Sequence, residues 1–268
     1  NWLKLGKFEN IILKRNEDVM RYLTKMSILN LLHPFQTFII GQKNIAPKVA
    51  MKNNIKLIFY GEHEALYGNN PKEYLSPLVD SKYFTKESSD NLVFAGMTIN
   101  EILKNNFIRE SDLEPFIPIA KKDFESSGIE MHYFSYYQKW IPQEVYYYAF
   151  KNTGFRPRHY RTQGTYSKYN SIDDKIDDLH YYTTYIKFGY GRATKDACQE
   201  IRNYHLTRDE GVQLVKKFDG EFPDRYFNEI MDYLDIKKDI FFKKSDKFRS
   251  PHLWKKKNNS WKLRFTVY

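Results

Sequence analysis

Apolar residues recur along this chain at two spacings, and the change from one to the other organises it. In EDVMRYLTKMSILNLLH, Val19, Tyr22, Leu23, Met26, Leu29 and Leu32 fall on one side of a helix. HPFQTFIIGQKNIAPKVAMKNN reads as a second helix after Pro34, with Gly41 and Pro47 as the expected breaks. IKLIFYGE is a continuous apolar run, the pattern of a strand buried on both faces of a parallel sheet and stopped by Gly61. NIILK (10–14) reads as another strand, and a helix ahead of such a strand is the β-α-β pattern of an α/β domain. Residues 69–127 are less regular. They carry Pro71, Pro77, Pro115 and Pro118, with one short helical piece near 100–106, and read as an insertion over the sheet. IEMHYFSYYQKW reads as a strand, and Pro142 and Gly154 bracket a helix as its N1 proline and C′ glycine.

From Thr165 onward the period is helical, over 173–188, 194–204, 207–219, 223–234 and 237–247. Thr207 and Glu210 have capping-box spacing, and HLWKKKNNSWKLRF alternates on both sides of an Asn-Asn pair, as a terminal hairpin would. The expected architecture is an α/β domain over 1–164, with its insertion at about 69–127, followed by a helical C-terminal region over 165–268.

Composition changes this picture in two places. One cysteine in 268 residues rules out an internal disulfide and a cysteine-based metal site. The net charge of +10 is spread among acidic residues, with its densest basic run at Lys255–Lys257, so it suits anionic small molecules at least as well as nucleic acid. No apolar run approaches the roughly 20 residues of a membrane span and the N-terminus has no signal-peptide pattern, so a cytoplasmic location is expected. Opening on Asn1, the chain reads as a piece whose natural beginning lies upstream.

Against the basic background, SIDDKIDDLHYY gathers Asp173, Asp174, Asp177 and Asp178. On a helix they span about 140° of arc, opposite Ile172, Ile176 and Leu179. Acidic residues in a first turn oppose the helix macrodipole, which accounts for the first pair. The second pair repels the first at i,i+4 spacing, and a metal or a basic side chain would relieve that cost.

Three further stretches carry candidate chemistry. YGEHEALYG places Gly61, Glu62 and Glu64 at a strand's carboxyl end, where α/β sheets bind ligands and where paired carboxylates hold Mg²⁺ or accept protons; the ordinary alternative is a charged solvent loop, and His63 reads equally as a surface residue. RTQGTYSKYN offers Ser167 and Lys168 beside Gly164 for a phosphate or carboxylate, or else an ordinary capping loop. KFGYGRATKDA puts Arg192 and Lys195 at a helix start, where cations are disfavoured unless an anion lies between them. Cys198, inside ATKDACQEIRN without a nucleophile turn, reads as a buried packing residue. His33, in LLHPFQ, reads as a helix-end residue in preference to a pocket one.

HPFQTFIIGQKNIAPKVA, IKLIFYGEHEALYG, TQGTYSKYNSIDDKIDDLHYYTTYIKFGYGRATKDACQEIRN and SPHLWKKKNNSWKLRF resemble the N-acetyl sugar amidotransferases of bacterial surface-glycan biosynthesis, in particular the branch that makes the acetamidino group of pseudaminic acid. The likeness runs from Asn1 to the C-terminus and covers roughly the C-terminal two-thirds of a member. The family's S-G-G-x-D-S pyrophosphate loop is not in this sequence and is expected upstream. The resemblance implies a partial Rossmann-like sheet of the adenine nucleotide alpha hydrolase type, with ATP and Mg²⁺ as cofactors. It further implies adenylation of an acetamido oxygen on a nucleotide-linked N-acetyl sugar, then displacement of AMP by ammonia. In that picture Glu62, Glu64, Lys168, Asp173 and Asp177 serve the chemistry. Glu62, Asp173 and Asp177 hold the metal, and Gly61, Ser167, Arg192 and Lys195 hold the nucleotide. Cys198 does not read as a glutaminase nucleophile, so ammonia is expected from a separate glutaminase subunit. The competing readings are an RNA-modifying pyrophosphate-loop enzyme, which the spread of basic residues disfavours, and a non-catalytic binding module.

Overall fold

The computed structural model of the protein describes residues 2–61, 63, 75–87 and 92–268. It divides into two compact units: residues 11–31 with 35–140, and residues 1–10 and 32–34 with 141–268. The fold is mixed α/β, with small parallel sheets and a helical C-terminal region.

In the first unit the helix Glu17–Leu31 buries Val19 and Leu23 of the stripe its period predicts, and Ile28 in place of Leu29. Val19 and Leu23 join Phe94, Ile102, Leu113 and Phe116 in one core, with Tyr22 and Met26 packed against it. The next helix, Gln36–Lys52, runs unbroken through both expected break points. Gly41 lies where a Cβ would press on the Phe116 ring at 3.3 Å, and the Asn44 amide donates to the Phe116 carbonyl at 3.0 Å, so tertiary contacts hold the helix through Pro47.

Parallel pairing is present but brief. Leu57–Tyr60 pairs with Glu130–Tyr133, and Thr85–Lys86 pairs with Ile119–Ala120. Contrary to the expectation of a strand buried on both faces, Leu57 and Phe59 are about half exposed; only the face carrying Ile58 and Tyr60 packs on Met131 and Ala50. NIILK forms no strand: Ile11 and Ile12 lie in exposed coil.

The second unit follows its sequence closely. Helices Pro142–Asn152, Ile176–Phe188, Arg192–Arg202, Arg208–Phe218, Asp224–Tyr233 and Lys238–Lys247 appear in order. Thr207 and Glu210 complete the reciprocal capping box. Trp254–Lys257 and Ser260–Leu263 form the hairpin. Asn258 and Asn259 turn it with φ of 49° and 58°, the left-handed pair that a two-residue type I′ turn requires.

Candidate functional site

The site is built on two helices of the second unit, Ile176–Phe188 and Arg192–Arg202, and on the loop 158–175 that leads into the first. That loop is held by its own backbone. Arg158 N–H donates to the Lys168 carbonyl at 3.0 Å and Thr162 N–H to the Ser167 carbonyl at 3.1 Å. Arg161 then makes a bidentate pair with Glu221, both bonds 2.6 Å, and Glu221 also accepts the Gly164 N–H at 2.9 Å.

The acidic helix begins at Ile176, so Asp173 and Asp174 precede it. Asp174 accepts the Ile176 N–H at 2.7 Å, an N-terminal turn bond. The two aspartates inside the helix face different surroundings. Asp178 is fully buried with the Arg225 guanidinium 3.9 Å away. Asp177 is pushed up to about 7, by burial first and then by Asp174 and Asp173, while Arg192 and Ser171 pull it back. The repulsion read from the sequence therefore falls on Asp177, the carboxyl poised to exchange a proton near neutral pH.

Arg192 anchors the cationic side. Its Nε donates to Asp196 at 2.7 Å and its Nη1 to the Tyr181 hydroxyl at 2.9 Å; Thr165 donates to the other Asp196 oxygen at 2.6 Å. Tyr181 in turn bonds Ser171, beside Asp177. The anion expected at the start of this helix is supplied by the protein itself: Asp219 accepts N–H bonds from Gly191 at 2.9 Å and Thr194 at 3.1 Å. Lys195 is not so satisfied. Among the described residues the Tyr190 ring lies 5.9 Å from its ammonium and no carboxylate reaches ion-pair distance. Burial and Arg192 hold its pKa below the usual lysine range.

Two histidines complete the cluster, and neither was assigned a role from sequence. His33 stacks on His180 with centroids 5.1 Å apart and planes 16° from parallel. Burial, with Lys187 and Lys195 nearby, lowers His33 to about 4. His180 falls to about 3 through burial, His33, and the charges of Lys195, Arg192 and Lys187. Both imidazoles are therefore neutral, and positive charge that would otherwise reside on them is displaced by its neighbours. His33 lies two residues past the end of the Glu17–Leu31 helix, the helix-end place expected for it, and its ring is stacked on His180 as well. Only the LHPF turn hinted at this, because the partner lies far away in sequence.

The other predicted residues are dispersed. Ser167 is buried, and its hydroxyl accepts from the Tyr169 and Asn170 N–H groups, both at 3.3 Å, as a turn residue does. Lys168 and Asp173 are exposed. Gly61 is an exposed bend residue of the first unit, and Glu62 and Glu64 lie outside the described residues. His63 is a packed residue where a surface one was equally expected: it is buried, stacks on Tyr133 at 3.9 Å and bonds Ser135 at 2.9 Å. Cys198 is exposed where a buried packing residue was expected, because Ala193, Asp196 and Ala197 take the inward side of its helix. Among the described residues no group of three histidine, cysteine or acidic side chains could hold a metal ion, and no helix is long and apolar enough to cross a membrane.

Residues 163–267, which hold the arrangement except His33 and the start of its loop at 158–162, match the family described as LPS biosynthesis protein WbpG-like, C-terminal domain. No curated protein matches the chain. The family match supports a part in lipopolysaccharide or related glycan biosynthesis and, in general terms, an enzymatic one.

Proposed function

We propose that the protein takes part in the ATP-dependent conversion of an acetamido group on a nucleotide-linked N-acetyl sugar, of the pseudaminic acid type, into an acetamidino group during bacterial surface-glycan or flagellin-glycan biosynthesis. One arrangement carries this reading. Arg192 acts on Asp177 and also on His180, around which Lys195, Lys187 and His33 gather, and all of these but His33 lie in the segment that matches a lipopolysaccharide-biosynthesis domain. A nucleotide-linked sugar brings phosphates for the cations and a neutral amide for the carboxyl.

The chemistry assigns each residue a task. An amide oxygen is a poor leaving group; its attack on the α-phosphorus of ATP releases pyrophosphate and leaves it adenylated, and ammonia then displaces it as AMP. Lys195 and Lys187 bind and orient anionic oxygens, in a partly buried place where each charge counts for more than in water. Arg192 is fixed by Asp196 and Tyr181, so it holds a set direction. Asp177, with a carboxyl at about 7, takes a proton from the attacking ammonia and returns it to solvent. His33 and His180, neutral and stacked, line the cluster without adding charge.

Mg²⁺ would arrive with the ATP phosphates, since the described residues offer no group of three histidine, cysteine or acidic side chains that could hold it, and Asp177 serves here as the proton acceptor. In this reading the short parallel strands belong to a Rossmann-like sheet of the adenine nucleotide alpha hydrolase type, and the reaction takes place in the cytoplasm, where ATP and nucleotide sugars are found. Ammonia comes from a separate glutaminase, since the exposed Cys198 lies mid-helix and not on a nucleophile turn.

The test is a product assay on the full-length protein with ATP, Mg²⁺, a nucleotide-linked N-acetyl sugar and either ammonium or glutamine. The expected result is an amidine sugar formed in step with AMP and pyrophosphate, with ammonium alone sustaining it and Cys198→Ser unchanged. An unmodified sugar with ammonium would refute the reaction; turnover with glutamine as the only nitrogen source would refute the separate glutaminase.

A further inference from the structure

A cavity of about 530 Å³ lies in the second unit, between the C-terminal half of the Ile176–Phe188 helix and the terminal hairpin. Its walls are Tyr182, Tyr185, Trp254 and Trp261, with Arg249 and Lys262 as the charged members and residues 263–268 closing one side. No acidic side chain is among them.

The walls are fixed before any ligand arrives. Trp254 donates its indole N–H to the Ile186 carbonyl at 2.8 Å and meets Tyr185 edge-to-face, centroids 5.4 Å apart. Arg249 lies 5.3 Å from the Trp254 ring and 5.6 Å from the Trp261 ring, and bonds Asp246 at 2.8 Å. Gly220 makes the floor possible: with φ of +77°, it sits where a Cβ would overlap the Tyr185 ring, so only glycine lets that ring lie against the backbone. Neither Arg249 Nε nor the Trp261 indole N–H, both on buried wall atoms, finds a hydrogen-bond partner among the described residues.

An aromatic wall favours a flat ring through stacking. The buried Arg249 Nε and Trp261 N–H offer donors for an anionic oxygen, and the volume falls within the usual range for small-molecule sites, about 300–1,000 Å³. We propose that this cavity is a nucleotide-binding site, taking a base against Trp261 and its tyrosine neighbours and a phosphate oxygen against Arg249. It stands on the cavity alone and does not depend on the reaction proposed above. A ring without charge would leave the Arg249 donor unused, and a bare phosphate would leave the aromatic wall unused.

Calorimetric titration of the full chain decides it, with UMP and AMP, and with uridine and inorganic phosphate as the half-ligands. Expected is saturable binding of at least one nucleotide, at least tenfold tighter than either half-ligand. That affinity should fall at least tenfold in Trp261→Ala and in Arg249→Lys. Arg249→Lys keeps a cation beside Asp246 and removes the Nε donor, so it keeps the test open where the tryptophan variant does not fold. Absence of nucleotide binding, binding of phosphate as tight as that of the nucleotide, or nucleotide affinity unchanged in Arg249→Lys would each overturn the assignment. Nucleotide binding that persists unchanged in Arg249→Lys belongs to the cationic cluster, so that outcome overturns this site and leaves the amidotransferase reading intact.

Discussion

The imidazoles of His33 and His180 lie face to face, 5.1 Å apart and 16° from parallel, in a setting rich in lysine and arginine. Burial and like charge keep both rings neutral, at about 4 and about 3 against an ordinary 6.5. Because the folded values are depressed, the unfolded chain binds protons that the folded chain refuses between pH 6.5 and those values. This contribution to stability is therefore complete above about pH 6.5 and is lost as pH falls toward 4 and below. The expected outcome is a urea midpoint that declines through this window in the wild type and declines less steeply in His180→Gln. Equal slopes for the two proteins would contradict the stacked, neutral pair.

Arg161 and Glu221 tie the 158–175 loop to the turn after Phe218 through two bonds of 2.6 Å, with the Gly164 N–H sharing the same carboxylate. Both side chains are mostly buried, so Arg161→Ala leaves a carboxylate short of its partner and should cost about 2–4 kcal/mol. Arg161→Lys should recover less than half, since an ammonium cannot make the two-pronged contact. Denaturant titration of the two variants checks the order.

Gly191 is expected to resist substitution for steric reasons, not conformational ones. A Cβ there would stand 2.7 Å from Asp219 Oδ1, the oxygen that caps the Arg192–Arg202 helix through Thr194. Gly191→Ala should therefore cost about 1–2 kcal/mol, as losing a cap does. Combined with Asp219→Asn, the losses should fall short of additive, because both changes break one contact.

What the sequence revealed depended on range. The helices after Thr165, the Thr207 capping box and the Asn258–Asn259 turn are local and were legible from period and spacing. The Asp173–Asp178 stretch showed its electrostatic tension, though not that Asp177 and Asp178 would face separate partners, Arg192 for one and Arg225 for the other. The His33–His180 stack was invisible, because an isolated histidine before a proline carries no sign of what it will meet. The apolar run at Leu57–Tyr60 reads as buried on both faces and is covered on one, since hydrophobicity records what could be covered and not what covers it. Cys198 differs from its reading for a related reason: in a helix whose inward side is already filled by Ala193 and Ala197, a small apolar residue one position on points outward.

Asp177, raised by burial and its neighbouring aspartates and faced by Arg192, is the proton acceptor of the proposed reaction, and the pH dependence of Asp177→Asn tests this most directly. Its folded pKa is raised from 3.8 to about 7, so its ionisation opposes folding, progressively as pH rises through 7. Asparagine removes that cost and the proton acceptor together. At pH 8 the variant should melt higher than the wild type by a few degrees. Its kcat for amidine formation should be lower by about 10²-fold or more, with the wild type's limb near pH 7 gone. A variant with wild-type turnover and an unchanged pH profile would contradict the account.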